Sequence, residues 1–525
     1  MKTLRLGLVG FAAVLSLVVL MLGGCAEMQM GPGASAPAGP PCRAPKAHGG
    51  TDNVNDAAFD AMFFRNYGVN PFIDTDDDRL STFAVDVDTG SYTLCRSYLD
   101  SGHVPPKDAV RVEEFVNYFN YGYAPPDAGS ADPFAIHLEA APSQFSPGRL
   151  LMRVGLKARE IAPADRKNAV LTFVIDTSGS MAREDRLELV KKALRLLLGQ
   201  LREGDEVGIA VYGSSGRKVL DPCGIERRED IIAAIDRLRP EGSTNAEEGL
   251  ALGYRMASKA FRQGAVNRVV LCSDGVANVG NTGPESILAT IKGQASAGIT
   301  LTTIGFGMGN YNDVLMEQLA DKGHGRYAYV DTLREARRVF VENLTGTLQV
   351  VARDVKVQVE FNPDVVRAYR LVGYENRDVA DQDFRNDKVD GGEVGAGHSV
   401  TALYELKRWP DKQGPLAMVR VRYKDADGGE AREAAKGIAS SDAPAGFEAS
   451  SDGLKLAAAA AQFAEILRAS YWARGARLED VLALAQHCES RRESGEDIQE
   501  LVRLIRRAAE LKADPLAQAG ASLEE

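Results

Sequence analysis

Cysteine is scarce, six among 525 residues, and no two stand in a C-x-x-C pair. That excludes a thiolate zinc centre and a dense disulfide framework. Beyond Cys25 there remain Cys42, Cys95, Cys223, Cys272 and Cys488, an odd number, of which Cys272 sits in an apolar run and reads as core. Histidine is equally rare, and His48, His103, His137, His324, His398 and His487 are scattered, which removes any case for a His-rich metal site. Basic charge is short too: 62 Lys and Arg face 73 Asp and Glu, a formal charge of −11. Phosphate binding needs a basic surface, so nucleic acid is not expected as a partner. There is no Ser/His/Asp nucleophile arrangement and no phosphate-cradling glycine loop with a Lys, so the chain is not expected to be an enzyme.

What is present begins with a targeting segment. Lys2 and Arg5 precede an apolar stretch from Leu6 to Leu22, and no basic stop-transfer cluster follows. Residues 1–24 therefore read as a signal peptide rather than a span. Leu22-Gly23-Gly24-Cys25 resembles the lipobox of bacterial lipoproteins, which implies lipid on Cys25 and a place in the cell envelope, facing the periplasm or surface. By the same resemblance, Ala26 favours the outer membrane over the inner. Residues 25–55, rich in Pro, Gly, Ala and Ser, read as a disordered tether, with an end-to-end distance of roughly 30 Å.

Hydrophobic periodicity divides the rest. Residues 56–133 mix patterns and read as a small N-terminal α+β segment, with Ala57 to Tyr67 amphipathic and Val110 to Tyr121 helical. Alternation marks half-buried strands at 134–164 and again at 348–430: Val355, Val357, Val359 and Phe361, then Val400, Ala402, Tyr404 and Leu406. These are expected to form one β-sandwich interrupted by residues 165–347. Inside the interruption, strands at 169–176, 205–212, 217–221, 267–273, 299–305 and 326–330 alternate with helices, the mark of a doubly wound, Rossmann-like parallel sheet. Residues 431–453 read as a flexible linker and 454–525 as a C-terminal helical subdomain. The expected fold class is thus α/β, a doubly wound domain inserted in a β-sandwich.

The chemistry lies in three stretches. Asp176-x-Ser178-x-Ser180 directly follows the apolar run Val170 to Ile175; Gly242-Ser243-Thr244-Asn245 precedes a helix; Asp274 ends the run Val269 to Ser273. Carboxylates and hydroxyls at the carboxyl edge of a parallel sheet occupy the edge that carries binding sites. Oxygen-only donors favour a hard cation, Mg²⁺ or another such as Mn²⁺ or Ca²⁺. Each piece has a bland reading as helix cap or turn, and the joint occurrence argues otherwise. Asp86-Val87-Asp88-Thr89-Gly90-Ser91 echoes the motif but lacks the remaining calcium-loop ligands, so it reads as turn and cap chemistry.

Together the three stretches resemble the metal-ion-dependent adhesion site of the von Willebrand factor type A (VWA) fold. Leu80 to Thr89, Pro105 to Glu114, Ala320 to Gly323, Gly373 to Arg377 and Gly395 to Glu405 also resemble bacterial VWA lipoproteins. Those proteins carry an N-terminal von Willebrand-associated segment and a C-terminal domain of unknown function. The resemblance implies Ser178, Ser180 and Thr244 as direct ligands, with Asp176 and Asp274 supplying charge. Val276 departs from the acidic residue frequent there. The implied function is metal-dependent recognition of a protein ligand that contributes a Glu or Asp, displayed from a lipid-anchored envelope protein. One alternative is a structural envelope protein whose metal only stabilises the fold; another, a metal-dependent hydrolase, is disfavoured by the missing nucleophile and base.

Overall fold

Val170, Leu171, Phe173, Val174 and Ile175 are each at most 1% exposed, as a parallel strand covered by helices on both faces must be. Burying side chains of this size stabilises by about 1.5–3 kcal/mol each. The computed structural model describes residues 62–275, 284–308, 311–426, 428–491 and 495–513. The expected signal peptide, Cys25, the tether and Val276 lie outside the described residues.

This central strand, Ala169–Asp176, belongs to a six-stranded sheet. On one side of it lie Val266–Ser273, Ile299–Phe306 and Tyr327–Val330, all parallel. On the other lies Glu206–Tyr212, parallel, and then Gly216–Gly224, antiparallel. Helices Arg186–Leu198, Ala246–Lys259 and Asp313–Lys322 are among those that cover the sheet. Leu187, Val190, Leu194 and Leu197 recur at helical spacing and are all buried in the core. The chain leaves the central strand toward Glu206–Tyr212 and returns to Val266–Ser273 on its other flank. The topological switch point therefore falls between the strands that end at Asp176 and Ser273, where α/β sheets bind ligands.

Two antiparallel sheets flank the insertion. One runs Ile73–Asp74, Val366–Val372, Ser399–Arg408, Leu150–Ala158, Phe134–Pro142. The other runs Gly392–Gly395, Val350–Phe361, Pro415–Asp425, Arg432–Ala439, with Leu80–Ala84 also paired to Val350–Phe361. The alternating residues read from sequence, Val355 through Phe361 and Val400 through Leu406, pack in one buried cluster between the sheets. The α/β domain enters after Ala158 and leaves before Val350.

Three expectations are corrected. The stretch 431–453 is no flexible linker: Arg432–Ala439 is an edge strand on Pro415–Asp425, followed by two short 3₁₀ turns. The N-terminal segment is not separate from the sandwich, because both of its strands pair with sandwich strands. Within the amphipathic stretch Ala57 to Tyr67, the described residues from Met62 onward form no helix, and Phe63 bridges to Asn312. The C-terminal helices Asp452–Leu467, Leu478–Arg491 and Glu496–Ala513 share one core with the N-terminal helix Gly90–Asp100 and one face of the α/β domain. Cys95, Cys223, Cys272 and Cys488 are all buried. Among the described residues no helix is long and apolar enough to cross a membrane.

Candidate metal centre

Asp176 ends its strand fully buried, so its carboxylate must be satisfied locally. The Ser178 amide donates to Oδ1 at 2.8 Å, and the Ser273 hydroxyl donates to Oδ2 at 2.9 Å. Ser178 Oγ lies 3.0 Å from Ser180 Oγ, and Ser180 Oγ donates to Asp274 Oδ1 at 3.1 Å. The structure thus joins Asp176, Ser178, Ser180 and Asp274 in one hydrogen-bonded chain across the switch point. Burial, and then the Asp274 charge, push the Asp176 carboxyl up to about 6, against the pull of the Ser178 and Ser273 hydrogen bonds. Two carboxylates held this close without full compensation favour a cation between them.

The Thr244 loop is laid against the same edge. Gly179 N donates to Gly242 O at 3.1 Å, and Glu241 N donates to Thr177 O at 2.5 Å. Gly242 has φ +79°, and a Cβ there would stand 2.3 Å from Ser214 Oγ, so the turn requires glycine. Asn245 caps helix Ala246–Lys259 by accepting from Glu248 N at 3.2 Å, which fixes the residue just before it, Thr244. Among the described residues the Thr244 hydroxyl makes no hydrogen bond and is only half-buried. Ser178, Ser180, Asp176 and Asp274 bring together an oxygen-only donor set, which fits a hard divalent ion such as Mg²⁺, with the Thr244 loop laid beside it.

Sequence reasoning missed Arg186. Its Nη1 donates to Asp274 Oδ2 at 2.7 Å with both side chains buried, and its Nη2 donates to the Met308 carbonyl. A Cβ on Gly307 would collide with this side chain at 2.2 Å from Nε. A signal existed: Arg opens helix Arg186–Leu198, where the macrodipole disfavours a cation, so its charge is required elsewhere. Ser273 was missed as well, being read only as the tail of an apolar strand.

With the geometry established, similarity to known proteins can be placed on it. Family models match along the chain: "von Willebrand factor" at residues 58–153, "von Willebrand factor type A domain" at 171–345, and "Uncharacterized protein YfbK, C-terminal" at 346–415 and 408–511. The uncharacterized protein YfbK of Escherichia coli (strain K12) is 38% identical over 472 residues, 84% of this chain and 80% of its own length. Human inter-alpha-trypsin inhibitor heavy chain H3 is 30% identical over 203 residues, 36% of this chain and 22% of that one. Among solved structures, a von Willebrand factor type A protein from Catenulispora acidiphila aligns over 73% of this chain and 92% of its own, at 17% identity and a TM-score of 0.44. The chain belongs to the bacterial von Willebrand factor type A family that includes YfbK, with the C-terminal domain found in that protein.

Proposed function

We propose that the α/β domain is a cation-dependent protein-recognition module carried on the bacterial cell envelope. VWA domains serve protein–protein interaction and adhesion, and the family membership supports that role here. The finer reading rests on one observation, the hydrogen-bonded chain Asp176–Ser178–Ser180–Asp274 at the switch point. Ser178, Ser180 and Thr244 would hold Mg²⁺, Mn²⁺ or Ca²⁺ directly, and Asp176 and Asp274 would supply charge. The ion supplies a Lewis-acidic position that an incoming carboxylate can complete.

The protein's own charges set the sign of that attraction. Asp176 and Asp274 give −2, and Arg186 on Asp274 returns +1. A divalent ion then leaves the centre positive, so a Glu or Asp of the partner is favoured over a neutral or basic side chain. Lipid on Cys25, placing the module in the outer rather than the inner membrane, completes the reading.

Calorimetry with Mn²⁺ on wild type and Asp176→Ala tests the cation. The wild type should bind one ion at this centre, and the variant should lose it. Capture of envelope proteins should fall with EDTA and in Asp176→Ala. If Mn²⁺ raises the melting temperature while no captured protein responds to it, the ion is structural only. Fractionation of the Cys25→Ser protein into the soluble periplasmic fraction would support the anchor.

A further inference from the structure

Two of the stretches that carry the family resemblance, Ala320 to Gly323 and Gly395 to Glu405, take no part in the Asp176 centre. They flank a second cluster. His324 follows helix Asp313–Lys322 of the α/β domain, in the left-handed region at φ +48°. Asp390 and Glu393 stand before and within strand Gly392–Gly395 of the sandwich. The His324 ring faces both: Nε2 lies 3.7 Å from Asp390 Oδ2, and Nδ1 lies 3.8 Å from Glu393 Oε1. One donor atom from each of the three residues falls within 4.8 Å of the other two.

These separations are too long for hydrogen bonds. Among the described residues, none of the three side chains makes one, although Glu393 is only 13% exposed and the imidazole 23%. Only one imidazole nitrogen can join a shared ion, and the three donor atoms lie within 4.8 Å of one another. Donors on a tetrahedral ion at Zn–N and Zn–O distances lie about 3.4 Å apart, so the side chains would close by up to about 1.4 Å. Asp390 and Asp321 lie around Glu393 with negative charge that Arg353 and Arg268 offset only in part. Asp390 is half exposed, at 51%, and is hydrated, but Glu393 is largely buried with no donor to satisfy it, the environment a dication relieves. An imidazole nitrogen beside two carboxylate oxygens suits a borderline metal better than Mg²⁺.

We propose that His324, Asp390 and Glu393 form a second metal site, for a transition-metal dication of the zinc class, that cross-links the α/β domain to the sandwich. Three protein ligands leave a position for water. The site stands at the amino edge of the sheet, just before strand Tyr327–Val330, whereas the Asp176 centre stands at the carboxyl edge. The two should therefore load independently, and this inference does not depend on the proposed recognition function.

The test uses the full chain stripped with chelator and then titrated with Zn²⁺ against a chromophoric competitor in excess Mg²⁺. Wild type and Asp176→Ala should each take up one Zn²⁺ per chain and melt higher for it. His324→Ala and Glu393→Gln should bind at least ~10-fold more weakly and gain no thermal stability from Zn²⁺. Co²⁺ in place of Zn²⁺ should give the wild type the strong visible absorption of a low-coordinate nitrogen-containing site. The proposal is overturned if His324→Ala binds Zn²⁺ as tightly as wild type, which would mark an adventitious ion only. It is also overturned if wild type takes up no Zn²⁺. Should the variants fail to fold, a weak, octahedral-type Co²⁺ spectrum in wild type would overturn it as well.

Discussion

At the Asp274 carboxylate, a guanidinium and a bound cation would compete for the same charge. Arg186 already neutralises Asp274 at 2.7 Å in a buried pair, so an ion arriving there meets a weakened partner. Arg186→Gln should tighten Mn²⁺ binding ~10-fold by calorimetry and lower the melting temperature of the metal-free protein, because a buried charge loses its counterion. Unchanged affinity would show that Arg186 only orients Asp274. Gly242→Ala acts through the backbone: the left-handed φ and the Ser214 contact should cost about 1 kcal/mol or more. Mn²⁺ affinity should fall as the Thr244 loop shifts, and unaltered binding would place Thr244 outside the centre. The residues legible in the sequence were those whose role is local to a strand end. Ser178 and Ser180 sit two and four positions past Asp176, the last residue of their strand. Arg186 and Ser273 were illegible because their partners, Asp274 and Asp176, lie 88 and 97 positions away.

Among the elements, the parallel strands were read to within a residue at each end, because both-face burial leaves continuous apolar runs that composition cannot disguise. Strand Arg432–Ala439 was lost for the opposite reason. It closes a sheet edge with only Ile438 buried and half of its residues exposed, and a solvated edge strand carries little hydrophobic alternation. The strands Ile73–Asp74 and Leu80–Ala84 were misassigned because their partners, Val366–Val372 and Val350–Phe361, lie on the far side of the insertion. The last helical stretch of the α/β domain is broken into helix Leu333–Arg337, a π segment Arg338–Glu342 and a short helix Leu344–Leu348. Helix Ala246–Lys259 links element to site, since its cap Asn245 adjoins Thr244. Asn245→Ala should destabilise by about 1 kcal/mol and also weaken Mn²⁺ binding. A drop in melting temperature with unchanged affinity would separate the cap from the centre.

Across the whole molecule, Leu80 to Thr89, Pro105 to Glu114, Ala320 to Gly323 and Gly373 to Arg377 meet in a charged seam away from the metal centre. Arg377 of the sandwich pairs with Asp86 of the N-terminal segment at 3.0 Å and with Asp321 of the α/β domain at 2.9 Å. Arg111 pairs with Asp313 at 2.5 Å, and Arg468 of the C-terminal helices pairs with Glu375 at 3.1 Å. Glu113 accepts from Tyr374 N at 3.0 Å, beside Gly373 at φ +83°. No sequence period announces such a seam, because each residue contributes one charge from a different element. Burial, and then Glu375, push the Glu113 carboxyl up to about 8, and burial pushes Glu114 up to about 7 although Arg111 pulls it down. Both lie above their ordinary range near 4.5. The folded state therefore keeps protons that the unfolded chain has already released, and its stability should fall as pH rises from about 5 through 8. Melting in chelator at pH 5.5, 7 and 8.5 should show a decline on the order of a few degrees. Glu113→Gln keeps an acceptor for Tyr374 N and cannot ionise, so it should make that slope shallower. Some slope should remain, because the Glu114, Glu393, Asp176 and Asp88 carboxyls are held up as well. A Glu113→Gln protein that declines as steeply as wild type would move the pH sensitivity off Glu113 and onto those other carboxyls.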